Sequence, residues 1–185
     1  MEVYLNFSNS NIWSEIWPEI SLAIAAIVLL GIDLFRKSSR PLVSTGILAI
    51  TVQASLLIFH LFDYLVWHHT FDRETFSGML QQGIQGDVMR TFFLLSSLLV
   101  TVLGHQYLKT NHLRSGEFHH LTMLATAGLM FLVQSNNFLM LFVALETVAV
   151  CFYTLVAYNR DSAKSLEAGI KYLVFGALSS SLLLF

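Results

Sequence analysis

The sequence predicts an all-α membrane protein: a polytopic bundle of six transmembrane helices in one domain, with its N-terminus outside. Three observations predict it. Of 185 residues, 55% are apolar or aromatic and only 12% carry charge, against about 25% charged in an average soluble domain. Six runs are apolar over roughly the 20 residues that cross a bilayer. Basic residues concentrate in alternate loops. A chain this poor in charge cannot cover a soluble surface, so a cytosolic enzyme is excluded. The apolar content excludes disorder. A net charge of −2 leaves no basic footprint for nucleic acid. The single Cys151 builds neither a disulfide framework nor a zinc signature.

The first span is Trp17–Phe35, opened by Trp17-Pro18, with proline tolerated in a first helical turn. The second, Leu42–Val66, follows Pro41. The third is about Val88–Leu108 and the fourth about Phe118–Ser135. The fifth is Phe138–Tyr158, and the sixth runs from near Ser165 to Phe185. These runs are too long and too continuously apolar for barrel strands. Helices satisfy their own backbone groups in hydrocarbon. Gln134-Ser135-Asn136-Asn137 is a tight polar link, which makes spans four and five an antiparallel hairpin. The longest loop, after Trp67, holds a mildly amphipathic stretch at Phe76–Ile84 that lies on the surface or re-enters.

Loop charge sets the orientation. Arg36, Lys37, Arg40, Lys109, Arg114, Arg160 and Lys164 fall on one side, and Arg73 and Arg90 on the other. The basic side is cytoplasmic by the positive-inside rule. The first residues lack the positive region of a signal peptide, so span one is expected to remain in the mature protein. Span six stops at Phe185 with no flanking Lys, Arg or Trp, which predicts the front part of a longer protein.

Ionisable residues inside spans are functional candidates, because each costs about 2.5–3.5 kcal/mol to insert at mid-helix. Glu146 is the clearest, with no basic residue within two turns on its own helix. A carboxyl group poised between charged and neutral relays protons; the plainer reading is a neutral hydrogen-bonding glue. Lys171 lies nearly two turns into span six. Glu167, four residues earlier, is a favourable ion-pair partner, so Lys171 either pairs locally or serves a proton path with Glu146. At 1.5 Å per residue the two lie about 9 Å apart along the membrane normal, a gap that a long side chain and a water close. Tyr153 and Thr154, two turns from Glu146, line the same path or pack. Ser179 and Ser180 hydrogen-bond across helices or hold water.

Other polar residues read as structural. Asp33 precedes Arg36 and Lys37 as an end-of-helix ion pair. Glu19 and Asp63 sit near outer span ends, where water reaches them. Gln53, His60 and His105 read as interhelical hydrogen bonds. Neighbours on a helix point about 100° apart, so neither His68-His69 nor His119-His120 chelates a metal by itself.

The stretch Gly116–Phe185 resembles the N subunit of NADH-quinone oxidoreductase, respiratory complex I, within the antiporter-like subunit family. Gly116-Glu117-Phe118, the Glu146 helix, and "SLEAGIKY" through "GALSSSLLLF" carry the likeness, and "WPEISLAIAAIVLLGIDLF" is similar to the family's first span. His119 stands where that family usually has an aromatic residue. The resemblance implies the front part of a larger antiporter-like fold with inverted repeats and discontinuous helices. It implies that Glu146 and Lys171 belong to the proton-translocation apparatus. It also implies no cofactor in this chain: NADH, FMN, iron–sulfur clusters and quinone would be bound by other subunits. Partners would be the other membrane subunits of the complex and the lipid of a bacterial inner membrane, or an equivalent energy-coupling membrane. A sodium/proton antiporter subunit shares these helix motifs, and a non-transporting scaffold is the plainest alternative.

Overall fold

The computed structural model describes residues 13–35, 42–67, 73–110 and 116–185. Six α-helices lie within them: α1 (Trp17–Phe35), α2 (Leu42–Trp67), α3 (Ile84–Thr110), α4 (Gly116–Gln134), α5 (Phe138–Val156) and α6 (Ala163–Leu184). A 3-10 turn, Trp13–Ile16, leads into α1. Four helices, α2, α3, α5 and α6, are long and apolar enough to cross a membrane. The pairing of Asp33 with Arg36 and Lys37, the His68-His69 pair, and the loop charges Arg40 and Arg114 fall outside the described residues.

The bundle is built around α4, which packs against α1, α2, α3 and α5. Helical periodicity explains the core. Leu22, Ala26 and Leu29 form one stripe of α1, Ala49 and Leu57 one of α2, and Met123, Ala127 and Met130 one of α4. Leu94 of α3 closes the cluster. Gly128 lets α4 meet α5 closely, since a Cβ there would stand 2.8 Å from Val148 Cγ2. Asn137 starts α5 by accepting a hydrogen bond from the Leu139 backbone N–H at 3.0 Å. The link is as short as predicted, and α4 and α5 pack on each other.

The loop before α3 departs from expectation. Instead of an amphipathic segment, residues 73–82 form an antiparallel hairpin, β1 (Arg73–Thr75) with β2 (Leu80–Gln82), in the register Thr75↔Leu80. Leu80 and Gln82 are buried and Gln81 is exposed, the period-2 alternation of a strand. The turn holds Phe76, Ser77 and Gly78 at φ of 53°, 58° and 81°; the first two bear a strain that glycine avoids. Tertiary contacts hold it. The Phe76 ring meets Trp13 edge-on at 5.5 Å. Asn136 in the α4–α5 link donates its backbone N–H to Met79 O at 2.9 Å and its side-chain amide to Gly78 O at 3.1 Å. The hairpin thus caps one end of the bundle. Trp13 and Trp17, both exposed there, suit a membrane–water boundary.

Candidate functional site

Ala144, Val148 and Cys151 form the buried face of α5. Glu146 lies beside that face and is half-buried. Its Oε1 is enclosed and has no hydrogen-bond partner among the described residues. That leaves a mid-helix carboxyl oxygen with unspent hydrogen-bonding capacity.

Helix α6 packs on α5 through small residues. A Cβ on Gly169 would stand 2.5 Å from Ala157 Cβ, and one on Gly176 would stand 1.9 Å from Tyr153 Oη. Gly176 therefore makes room for the phenol of Tyr153, whose ring also meets Tyr172 edge-on at 5.2 Å. Tyr153 thus bridges the two helices two turns from Glu146.

The remaining sequence candidates are local. Lys171 Nζ lies 2.5 Å from Glu167 Oε1, and both side chains are about two-thirds exposed (66% and 64%). The structure pairs Lys171 within its own helix, and no hydrogen bond or ion pair joins it to Glu146 among the described residues. Thr154 donates to Val150 O at 3.0 Å. Ser180 donates to Gly176 O at 3.0 Å, and Ser181 to Ala177 O at 2.7 Å. These hydroxyls turn back on their own helices rather than across to a neighbour. Ser179 is exposed.

The hairpin end holds the densest polar cluster. Glu19 is fully buried, which corrects its reading as a hydrated end-of-span residue. Arg90 Nε lies 2.7 Å from Glu19 Oε1, and Arg90 Nη1 donates to Asp87 Oδ1 at 3.0 Å. Arg90 Nη2 donates to Glu15 O at 3.0 Å. Gln134 donates to Glu19 Oε1 and to Met130 O, and accepts from Gln82 at 2.7 Å. His60 Nε2 donates to Asp87 O at 3.3 Å, an interhelical bond of the expected kind. Gln53 departs from that expectation: it is buried, and neither amide atom has a partner among the described residues.

A signal for the cluster was present. Glu19 precedes Leu22 by one turn, Arg90 precedes Leu94, and Gln134 follows Met130. Each continues a buried stripe and so faces inward. Four elements must be docked before the charges are seen to meet.

At the opposite end, Arg160 pairs with Glu117 at 2.7 Å, joining the α5–α6 turn to α4. His105 of α3 and His119 of α4 approach with ring centroids 5.6 Å apart. No group of three or more His, Cys, Asp or Glu residues suited to a metal ion occurs among the described residues.

Comparison with known proteins converges on one family. A family model described as NADH:quinone oxidoreductase/Mrp antiporter, TM, matches residues 135–185, which contain Glu146 and Lys171. NADH-quinone oxidoreductase subunit N 1 of Opitutus terrae is 43% identical over 188 aligned residues, covering 100% of this chain and 36% of that protein. Subunit N of Xanthomonas euvesicatoria pv. vesicatoria is 39% identical, covering 91% of this chain and 33% of its own length. Subunit N of Ruthia magnifica is 31% identical over all of this chain and 37% of its length. The chain spans about a third of the length of these curated relatives. The chain is thus a six-helix bundle that matches the antiporter-like family model over the helices bearing Glu146 and Lys171, and it is similar along its own length to about a third of the length of NADH-quinone oxidoreductase N subunits.

Proposed function

We propose that the chain forms part of a proton-translocating membrane subunit of NADH-quinone oxidoreductase, with Glu146 as its proton-carrying group. The observation that carries this is the enclosed, unpartnered Oε1 of Glu146 in mid-helix, on a helix inside the family match. Quinone reduction elsewhere in the complex would change the charge near Glu146 and drive its loading and release. Lys171 would reload it after leaving Glu167; the exposed pair is a weak tether, worth at most about 1 kcal/mol. Tyr153 and Thr154 would border the path, with Ser179 and Ser180 beyond Lys171. The chain itself would carry no redox cofactor. Its partners would be other membrane subunits of the complex, and the bacterial sources of the relatives support an inner-membrane location.

In the full-length subunit within the assembled complex, Glu146→Gln is expected to lower proton pumping while NADH oxidation and assembly persist. Normal pumping by a stably assembled variant overturns the role of Glu146. The family description also covers Mrp antiporters, which favours sodium/proton exchange as the second reading. A sodium-dependent proton flux in vesicles that is indifferent to NADH would support it.

A further inference from the structure

The basic-loop end holds a group that this mechanism leaves unused. His119 is 1% exposed, and neither of its ring nitrogens has a hydrogen-bond partner among the described residues. His105 is half-buried, and its Nδ1 is likewise enclosed and unpartnered. Buried imidazole nitrogens left this way are costly, and native interiors almost always satisfy them.

Both rings converge on Gly46 of α2. A Cβ on Gly46 would stand 2.1 Å from His105 Nδ1 and 2.9 Å from His119 Nε2. Two atoms that near one point are no more than about 5 Å apart, within reach of one water hydrogen-bonded to both. On the other side, Gly104 makes room for the Phe118 ring, which a Cβ would meet at 2.3 Å. Two glycines therefore let three helices close around two imidazoles. His105 lies five residues before the end of α3 and His119 three after the start of α4, about one turn deep.

We propose that His105 and His119 form a water-bridged imidazole pair that takes up one proton at the basic-loop end and feeds it to the bundle. The pair holds one added proton, because two imidazolium charges this close repel. The half-buried His105 carries it, and the enclosed His119 accepts the bridging hydrogen bond. His120 adjoins the pair on α4, and the Glu117–Arg160 ion pair, Asp33 and Tyr158 lie at the same end; α2 brings Thr45 and Gly46, neither titratable. Imidazole is the side chain suited to this duty near neutral pH. The proposal rests on the transport reading.

The test is the pH profile of proton pumping in the complex assembled with full-length subunit. His105→Phe and His105→Gln are expected to lose pumping by about threefold or more at pH 8, where protons are scarce, and to stay near wild type at pH 6. Gln keeps a polar partner for the bridge but cannot take the proton. Full pumping at pH 8 by the Gln variant, or profiles superimposable on wild type, overturns the pair. Glu146→Gln, run alongside, separates the two claims: it loses pumping at both pH values if the transport reading holds. If Glu146→Gln pumps normally, the transport reading itself has failed.

Discussion

The hairpin end and the α5–α6 pair handle charge in opposite ways. At the hairpin end Glu19 and Arg90 are buried, and they meet Asp87, Gln134 and Gln82 in one network spanning α1, α3, α4 and β2. On α5 and α6, Glu146 is half-buried with an oxygen unspent, and Lys171 and Glu167 lie largely exposed. Buried charge locked in ion pairs holds a fold together, even with Glu19 Oε2 left without a hydrogen-bond partner among the described residues. Charge with no ion-pair partner, or with an exposed one, is held less firmly. The comparison separates a buried ion-paired region from one whose charges lie unpaired or exposed, although insertion cost alone would flag both.

Breaking the network should have the largest effect. Arg90→Ala leaves Glu19 and Asp87 buried without their cation, a loss of about 3–5 kcal/mol. The amount of assembled complex and its thermal midpoint in detergent should both collapse. Near-normal assembly of this variant would erase the difference between the two regions.

Glycine contacts sharpen the comparison at the next level. Gly46→Ala places a methyl group against both His105 and His119 and should cost about 1–3 kcal/mol by overpacking, read as a lower thermal midpoint. Gly176→Ala meets only the phenol tip of Tyr153, which can swing aside. Its midpoint should fall less than that of Gly46→Ala.

Two smaller effects complete the order. Asn137→Ala removes the cap of α5 and should cost about 1 kcal/mol, measurable as a small drop in the same midpoint. Glu167→Gln breaks an exposed pair and should change stability by no more than about 1 kcal/mol. If Glu167→Gln destabilises as strongly as Arg90→Ala, the α6 pair is a structural element rather than a releasable one.

The bundle was legible because a bilayer leaves the chain few choices. About 20 apolar residues form a helix, and loop charge alternates. The β-hairpin was hidden because Leu80–Gln82 is too short to display its period-2 pattern against a longer amphipathic run. Glu146 could be singled out without a structure, since depth along one helix can be read from one helix. Glu19 could not be weighed the same way. Whether a residue near a span end faces water or protein depends on the docking of α3, α4 and the hairpin, and no single segment encodes that. The same reason hid the meeting of His105 and His119, which lie on different helices and converge over a glycine on a third.

The most direct measurement is protons released per NADH oxidised, in vesicles holding the complex with either Glu19→Gln or Glu146→Gln in the full-length subunit, alongside the amount of complex assembled. The account predicts that Glu19→Gln lowers assembly while the surviving complex keeps the wild-type ratio. It predicts that Glu146→Gln assembles normally and pumps at a reduced ratio. A wild-type ratio for Glu146→Gln, or a reduced ratio with full assembly for Glu19→Gln, would contradict it.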